Sequence, residues 1–240
     1  MPRLDVLVTK SGLAESRERA QALILAGKVR VSGETVRSPS RAVSDEARID
    51  VDAEPGYASR GALKLAPALD RFGVDPRGRI CADIGASTGG FTDVLLRRGA
   101  AKVFALDVGR GLLHWRLRQD PRVVVIERVN ARDLESFPEP VSLVVIDVSF
   151  ISLEKVLPAV RRAAPRAEVV ALFKPQFEVG RSEVGKGGIV RSPVAIEAAL
   201  SRFRDWCRTN GYAVEAEAPS EVAGAEGNRE IFVHLRPEVS

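Results

Sequence analysis

Cysteine and histidine are each present only twice in the 240 residues. Cys81 lies inside an apolar run, so a disulfide framework is excluded as the organising principle. With His114 and His234 as the only histidines, no cysteine–histidine cluster suited to zinc exists either. No stretch approaches the roughly 18 apolar residues of a membrane span. The opening MPRLDVLVTK carries charge inside any would-be leader. Repeats and low-complexity tracts are lacking as well. A cytoplasmic protein with no metal and no membrane contact is the expectation. What the chain does have is 45% hydrophobic residues, enough for a sizeable core, and a formal charge of +4 that permits an anionic partner without requiring one.

The most informative stretch is Ile80 to Asp93, ICADIGASTGGFTD. An apolar run ends in an acid, a glycine-rich turn follows, and Phe91 to Arg98 reads as a helix whose first N–H groups face the turn. That is the layout of a small-molecule site at the carboxyl end of a parallel strand. Gly85, Gly89 and Gly90 allow backbone to approach a ligand closely, and Asp83 sets a negative charge beside it, so a cationic or nucleoside-bearing ligand is implied more than a bare phosphate. Ser87 stands where a dinucleotide fingerprint wants its second glycine, which disfavours NAD. The same letters spell the G-x-S-x-G elbow of a serine hydrolase, and Ser87, Asp147 and His234 follow that class's chain order; His234, however, reads as part of a strand, whereas the triad needs it on a loop.

Residues 1–52 differ in texture from the rest. Leu4, Leu7 and Val8, then Ala20, Leu23 and Ile24, recur at helical spacing, and Ser16 caps the second helix. Val29, Val31, Val36, Ile49 and Val51 read as short strands with a turn at Gly33. Arg3, Arg17, Lys28, Arg30, Arg37 and Arg41 are candidates for one basic face. Residues 53–58, with Pro55-Gly56, read as a linker. From Ser59 a helix is expected, carrying Arg60 and Lys64. Strands follow at Ile80–Ile84, Val103–Asp107, Val123–Glu127, Leu143–Asp147 and Val169–Phe173, with helices near Thr92–Arg98, Ser152–Arg162 and Pro193–Asn210. A terminal strand pair is expected at Tyr212–Ala218 and Glu230–Leu235. Continuous apolar strands alternating with helices predict an α/β fold, a Rossmann-like sheet covered by helices on both faces, behind a small N-terminal α+β domain.

Acids recur where successive strands should stop, at Asp83, Asp107 and Asp147, and a lysine, Lys174, closes the next. Asp107 follows the glycine turn by about the 20 residues expected of a ribose-binding acid. GRSEVGKG at Gly180–Gly187 nearly spells a phosphate-binding P-loop, but Gly187 stands where Ser or Thr should hold magnesium, so a loop over the site, with Lys186 available to RNA phosphate, is expected instead.

Two resemblances gather these features. RLD, GLA, SR and GKVRVSG within residues 1–52 resemble the small RNA-binding module shared by a small-subunit ribosomal protein, tyrosyl-tRNA synthetases and several RNA-modifying enzymes. SRGALKL, DIGASTGGFTD, VVIDVSFISL, LFKPQFEVG, GKGG and GNREIF, in that order, resemble the TlyA (hemolysin-A-like) ribosomal RNA 2′-O-methyltransferases of the wider FtsJ-like group. The resemblance implies a methyltransferase domain at 59–240 that uses S-adenosylmethionine to methylate a ribosomal cytidine on its 2′-hydroxyl, with ribosomal RNA or a ribosomal subunit as partner. It also implies a catalytic set of Lys64, Asp147, Lys174 and Glu230. Donor contacts are expected from Asp83, Gly85, Ser87, Thr88, Gly89, Gly90, Phe91, Thr92, Asp107, Asn130 and Asp147. RNA contacts are expected from Arg3, Arg17, Lys28, Arg30, Arg60 and Lys186. A start close to the first helix and an end just after the last strand resemble the shorter branch acting on large-subunit RNA alone. The alternatives are the serine hydrolase and an RNA-binding protein without activity. The residues favour no particular oligomeric state.

Overall fold

The computed structural model describes residues 2–14, 16–45, 47–51, 56–224 and 227–238. The chain divides into two compact units, Met1–Tyr57 with His114–Asp120, and Ala58–Leu113 with Pro121–Ser240. Of the linker expected at 53–58, residues 53–55 lie outside the described ones.

In the first unit α1 (Leu4–Lys10) and α2 (Arg17–Leu25) bury Leu4, Leu7, Val8, Leu23 and Ile24 with a three-stranded sheet, β1 (Val29–Val31), β2 (Glu34–Val36) and β3 (Ile49–Val51). Ser16 caps α2 as expected, its side chain accepting from Arg19 N–H at 3.1 Å. Strand order is β2-β1-β3, all antiparallel. Ser32 and Gly33 between β1 and β2 both take positive φ, 51° and 89°, the two-residue turn whose twist suits a hairpin.

The second unit is built on a seven-stranded sheet. Its helices and strands are α3 (Ala62–Phe72), β4 (Ile80–Ile84), α4 (Gly90–Arg97), β5 (Lys102–Asp107), β6 (Val123–Glu127), β7 (Leu143–Ile146), α6 (Leu153–Ala163), β8 (Glu168–Phe173), α7 (Pro175–Glu178), α8 (Pro193–Thr209), β9 (Tyr212–Pro219) and β10 (Ile231–Pro237). A one-turn helix α5 (Trp115–Arg118) belongs to the first unit. Strand order is β6-β5-β4-β7-β8-β10-β9, with β4 to β8 parallel and β10 antiparallel to both its neighbours. The chain runs outward from β4 to β6 and then returns to place β7 on the other side of β4. A crevice therefore opens at the carboxyl ends of β4 and β7, the topological switch point. All four residues of β7 are buried, as are the middle four of β5, which explains their unbroken apolar runs. Phe104, Phe173, Phe203, Ile84 and Leu106 are among the fully buried core residues.

Two expectations need correction, and the P-loop reading stays rejected. Ser59 does not begin a helix: Ser59 to Gly61 form a turn, and α3 starts at Ala62, with Ala62 N–H donating to the Ser59 carbonyl at 3.2 Å. The helices α5 and α7 were not anticipated, each being a single turn without periodicity to read. The Gly180–Gly187 segment forms two 3-10 turns, Arg181–Glu183 and Lys186–Gly188, and the next α-helix waits until Pro193, so the strand–loop–helix context of a P-loop is missing.

The starts of α3 and α4 meet where no side chain fits. A Cβ on Gly90 would collide with Ser59 Oγ and stand 2.9 Å from the Ala62 nitrogen. Gly90→Ala should cost about 1–3 kcal/mol of stability through this overpacking; chemical denaturation of the two proteins measures it.

Candidate active site

Strand register assembles the chemistry at one edge. In the parallel ladder Ile84 pairs with both Leu106 and Ile146, so Asp107, the last residue of β5, and Asp147, the first after β7, flank the glycine turn. Asp147 N–H donates to the Ile84 carbonyl at 2.9 Å. Gly85 adopts φ +84°, and a Cβ there would run into the Asp147 carbonyl, so only glycine serves. On the other side, Ile231 of β10 pairs with Phe173 of β8, which sets Glu230 and Lys174 next to each other at the same edge.

The four residues of the expected catalytic set form two ion pairs. Lys64 Nζ, from the first turn of α3, meets Glu230 Oε2 at 2.6 Å. Lys174 Nζ lies 2.6 Å from Asp147 Oδ1 and donates its hydrogen bond to Ser149 Oγ at 3.0 Å. Lys174 is only 8% exposed and Glu230 3%. Gly224 leaves the space that the Glu230 carboxylate occupies, since a Cβ there would stand 2.6 Å from Glu230 Oε1. A cavity of about 260 Å³ has Lys64, Ser59, Gly85, Gly90, Phe91 and Asp147 on its walls, so one member of each ion pair, Lys64 and Asp147, faces one space while Glu230 and Lys174 stand behind them.

A larger cleft of about 790 Å³ adjoins it, sharing Gly85, Ser87 and Asp147 and adding Asp107, Asn130 and Ser149 among others. Asp107 accepts from Ser87 N–H at 2.8 Å and Gly109 N–H at 2.7 Å, bracing the turn with its carboxylate. Ser87 itself takes φ +48°, an uncommon backbone state for a residue with a side chain. Asn130 accepts from Arg132 N–H at 3.1 Å and so caps a short turn while lining the cleft. Thr88 borders the smaller cavity, and Gly89 takes φ +94° as the cap of α4.

Asp83 is wholly buried. Its Oδ2 accepts from Thr92 N–H at 2.8 Å and Thr92 Oγ1 at 2.7 Å, tying β4 to the first turn of α4, and its Oδ1 has no hydrogen-bond partner among the described residues. Burial pushes this carboxyl up to about 7, the Thr92 bonds opposing and the nearby Asp147 and Asp107 charges assisting. A buried acid oxygen left open two residues before Gly85, a turn closed to side chains, and a carboxylate at the end of β5 suit a cationic nucleoside better than an anion.

The hydrolase alternative fails on position. His234 pairs in register with Val170, near the amino end of β8, the end of the sheet opposite the glycine turn. Its Nε2 is 2.7 Å from Glu168 Oε1, and its ring stacks on Phe72 at 5.4 Å. No histidine reaches Ser87 from there.

Residues 57–237 match the description of the FtsJ-like methyltransferases, and residues 2–49 that of the S4 domain. The chain is 49% identical to the 16S/23S rRNA (cytidine-2′-O)-methyltransferase TlyA of Mycobacterium tuberculosis, over 98% of this chain and 90% of that protein. The chain belongs to the FtsJ-like methyltransferases, in the TlyA group. This FtsJ-like chain is also 38% identical to the 23S rRNA (cytidine-2′-O)-methyltransferase TlyA of Campylobacter jejuni, over 80% of its own length and 75% of the other. A solved structure from Streptococcus thermophilus superposes with a TM-score of 0.75 at 42% identity, covering 99% of this chain and 89% of that one. The FtsJ-like fold is one that binds S-adenosylmethionine. No helix among the described residues is long and apolar enough to cross a membrane, and no group of three or more potential metal-ligating side chains occurs among them.

Sequence reasoning missed three residues around the site. Ser149 takes the Lys174 hydrogen bond. Asn228, 1% exposed, accepts from Val190 N–H and donates to the Gly188 carbonyl, both at 2.9 Å, fastening the segment after Lys186 to the one before Glu230. Phe150, 88% exposed at φ +64°, sits on the cleft with its ring 5.2 Å from that of Phe177. Only GNREIF and VVIDVSFISL, as segments, hinted at them. Lys186 is exposed, and Arg60 borders the smaller cavity.

The shift at Asp83 has a sign. Its folded-state value lies above the ordinary carboxylate value near 4, so the fold binds a proton that the unfolded chain has released over the interval from about 4 to about 7. Stability of the ligand-free protein should therefore fall across that interval, by at most about 1.4 kcal/mol per pH unit from this group, and level off above it. Asp83→Asn should flatten the decline in a pH series of denaturation curves.

Proposed function

We propose that the chain methylates the ribose 2′-hydroxyl of a cytidine in ribosomal RNA, with S-adenosylmethionine as donor. Residues 1–52 hold the RNA, 53–58 act as a linker, and 59–240 perform the transfer. The observation that carries this reading is that one member of each ion pair, Lys64 of Lys64–Glu230 and Asp147 of Lys174–Asp147, lines one cavity, next to a glycine turn at the switch point. The relatives named as TlyA methyltransferases support the substrate class.

When bound, the donor supplies an electrophilic sulfonium methyl. The residues expected to hold it are Asp83, Gly85, Ser87, Thr88, Gly89, Gly90, Phe91, Thr92, Asp107, Asn130 and Asp147. A ribose hydroxyl is a weak nucleophile at neutral pH, so what the protein must add is position and a destination for the proton. Lys174 takes that proton when it stands as the free amine, its own proton having first left to solvent; as the ammonium it only steers the hydroxyl. Asp147 and Ser149 fix where its amine stands. Lys64, held by Glu230, orients the sugar. No metal enters this scheme. Arg60, beside the smaller cavity, and the exposed Lys186 meet RNA phosphate, while Arg3, Arg17, Lys28 and Arg30 do so on the S4 domain.

Large-subunit RNA is the favoured acceptor and small-subunit RNA a possible one; the 49% identical relative is named for both 16S and 23S rRNA and the 38% identical one for 23S, so both subunits belong in the assay. Lys174→Ala should lower methyl transfer to ribosomal subunits by about 10²- to 10⁴-fold, the usual worth of a positioned proton acceptor. Donor binding by calorimetry should survive. Radiolabelled transfer followed by mass spectrometry of the ribose reads both the loss and the acceptor atom; a methylated base instead of ribose would overturn the proposal.

A further inference from the structure

The S4 unit contains a buried charge that its hydrophobic core has no use for. Asp5, on the first turn of α1, is 0% exposed. Arg3 grips it with two bonds, Nε to Oδ1 at 3.1 Å and Nη2 to Oδ2 at 3.0 Å. Arg17 Nε reaches the same Oδ2 at 3.1 Å, and Gln21 Nε2 reaches it at 2.7 Å. The Arg3 and Arg17 side chains nevertheless remain 46% and 54% exposed. Arg3 Nη1 and both terminal nitrogens of Arg17 make no hydrogen bond within the described residues.

Two guanidinium groups sharing one oxygen have their bonded nitrogens no more than about 6 Å apart. A guanidinium is planar, and bonding through one edge fixes the direction of the remaining N–H groups. Two arginines and one carboxylate leave a single net positive charge, so the site attracts one anion while its donors are already oriented. Side-chain ordering, normally a cost of binding for residues as flexible as arginine, has been met within the folded protein. The Asp5 carboxyl is held well below its usual range, first by the Arg3 bonds, so it stays charged at any pH at which RNA is bound.

We infer that Asp5 is the positioning residue of a two-arginine phosphate clamp, in which Arg3 and Arg17 together grasp one phosphodiester of structured RNA. The inference rests on the reading of the S4 unit as the RNA-holding part. It goes beyond that reading by giving a buried acid, which repels RNA by charge, a positive role in binding it. Simple electrostatics and the clamp predict opposite signs for Asp5→Asn. Removing a negative charge should tighten RNA binding if net charge governs; it should weaken binding if orientation governs.

The test is filter binding of the full chain to purified ribosomal subunits over a salt series, with donor calorimetry as a check on the second unit. Asp5→Asn should bind about tenfold or more weakly, with a salt dependence reduced by about one phosphate contact, while donor affinity is unchanged. The paired Arg3→Lys/Arg17→Lys variant keeps the charge and leaves Asp5 a cationic partner from each position while removing the planar forks, and it should lose a similar amount, with thermal denaturation confirming that the unit stays folded. Gln21→Ala, which removes a tether between α1 and α2 without touching either guanidinium, should bind within about twofold of wild type. Asp5→Asn binding as tightly as wild type or more so, full binding by the double lysine variant, or equal loss in Gln21→Ala would each overturn the clamp. Wild type failing to bind subunits while still binding donor would remove the RNA-holding reading itself, and the clamp with it.

Discussion

Two ammonium groups share a mostly water-excluded edge in this molecule only because each has a carboxylate of its own. Unpaired, a buried lysine or acid costs several kcal/mol; as Lys64–Glu230 and Lys174–Asp147 the four charges neutralise locally and hold one another still. Much of the second unit can be understood as the means of delivering these four side chains. Parallel β4 and β7 carry Asp147 to the switch point, β8 ends in Lys174, β10 is reversed so that Glu230 arrives beside it, and the close meeting of α3 and α4 over Gly90 brings Lys64 within reach.

Much of this was legible in the sequence because it depends on local pattern. The parallel strands announced themselves as apolar runs: β4 and β6 match their expected limits, and β5, β7 and β8 differ by one residue at an end. Capping chemistry fixed the start of α2 at Ser16, and the glycine turn could be located from composition alone. What was less legible depended on partners distant in the chain. Ser59 has the letters of a helix start, yet it serves as part of a turn packed at Gly90, and nothing local tells the two apart. The one-turn helices α5 and α7 are too short for any period to show.

The site shows the same division. Lys64 and Glu230 are 166 positions apart, and no spacing rule links them; only resemblance to the TlyA group joined them before their contact was seen. Asp107 and Asn130, expected to face a ligand, were placed at the right edge, but part of their bonding capacity goes to backbone N–H groups of the turns they sit in. Preorganisation of this kind uses the same atoms for holding the loop and for facing the cleft. The buried Asp5 of the S4 unit was invisible as a functional residue because an acid on a basic module reads as charge balance, and its burial cannot be seen without the fold.

The reversed strand has a bearing on how the protein comes to be folded. β10 is the last strand made, yet it lies inside the sheet, with β9 outside it. Until it arrives, β8 is an open border of five buried apolar residues, Val169 to Phe173, with unmet backbone donors and acceptors, and β9 has nothing to pair with. Such a border invites pairing between neighbouring chains. A polypeptide interrupted before Ile231 would thus be sticky as well as inactive, and the period of synthesis between β8 and β10 is the interval in which this enzyme most needs protection from its own copies.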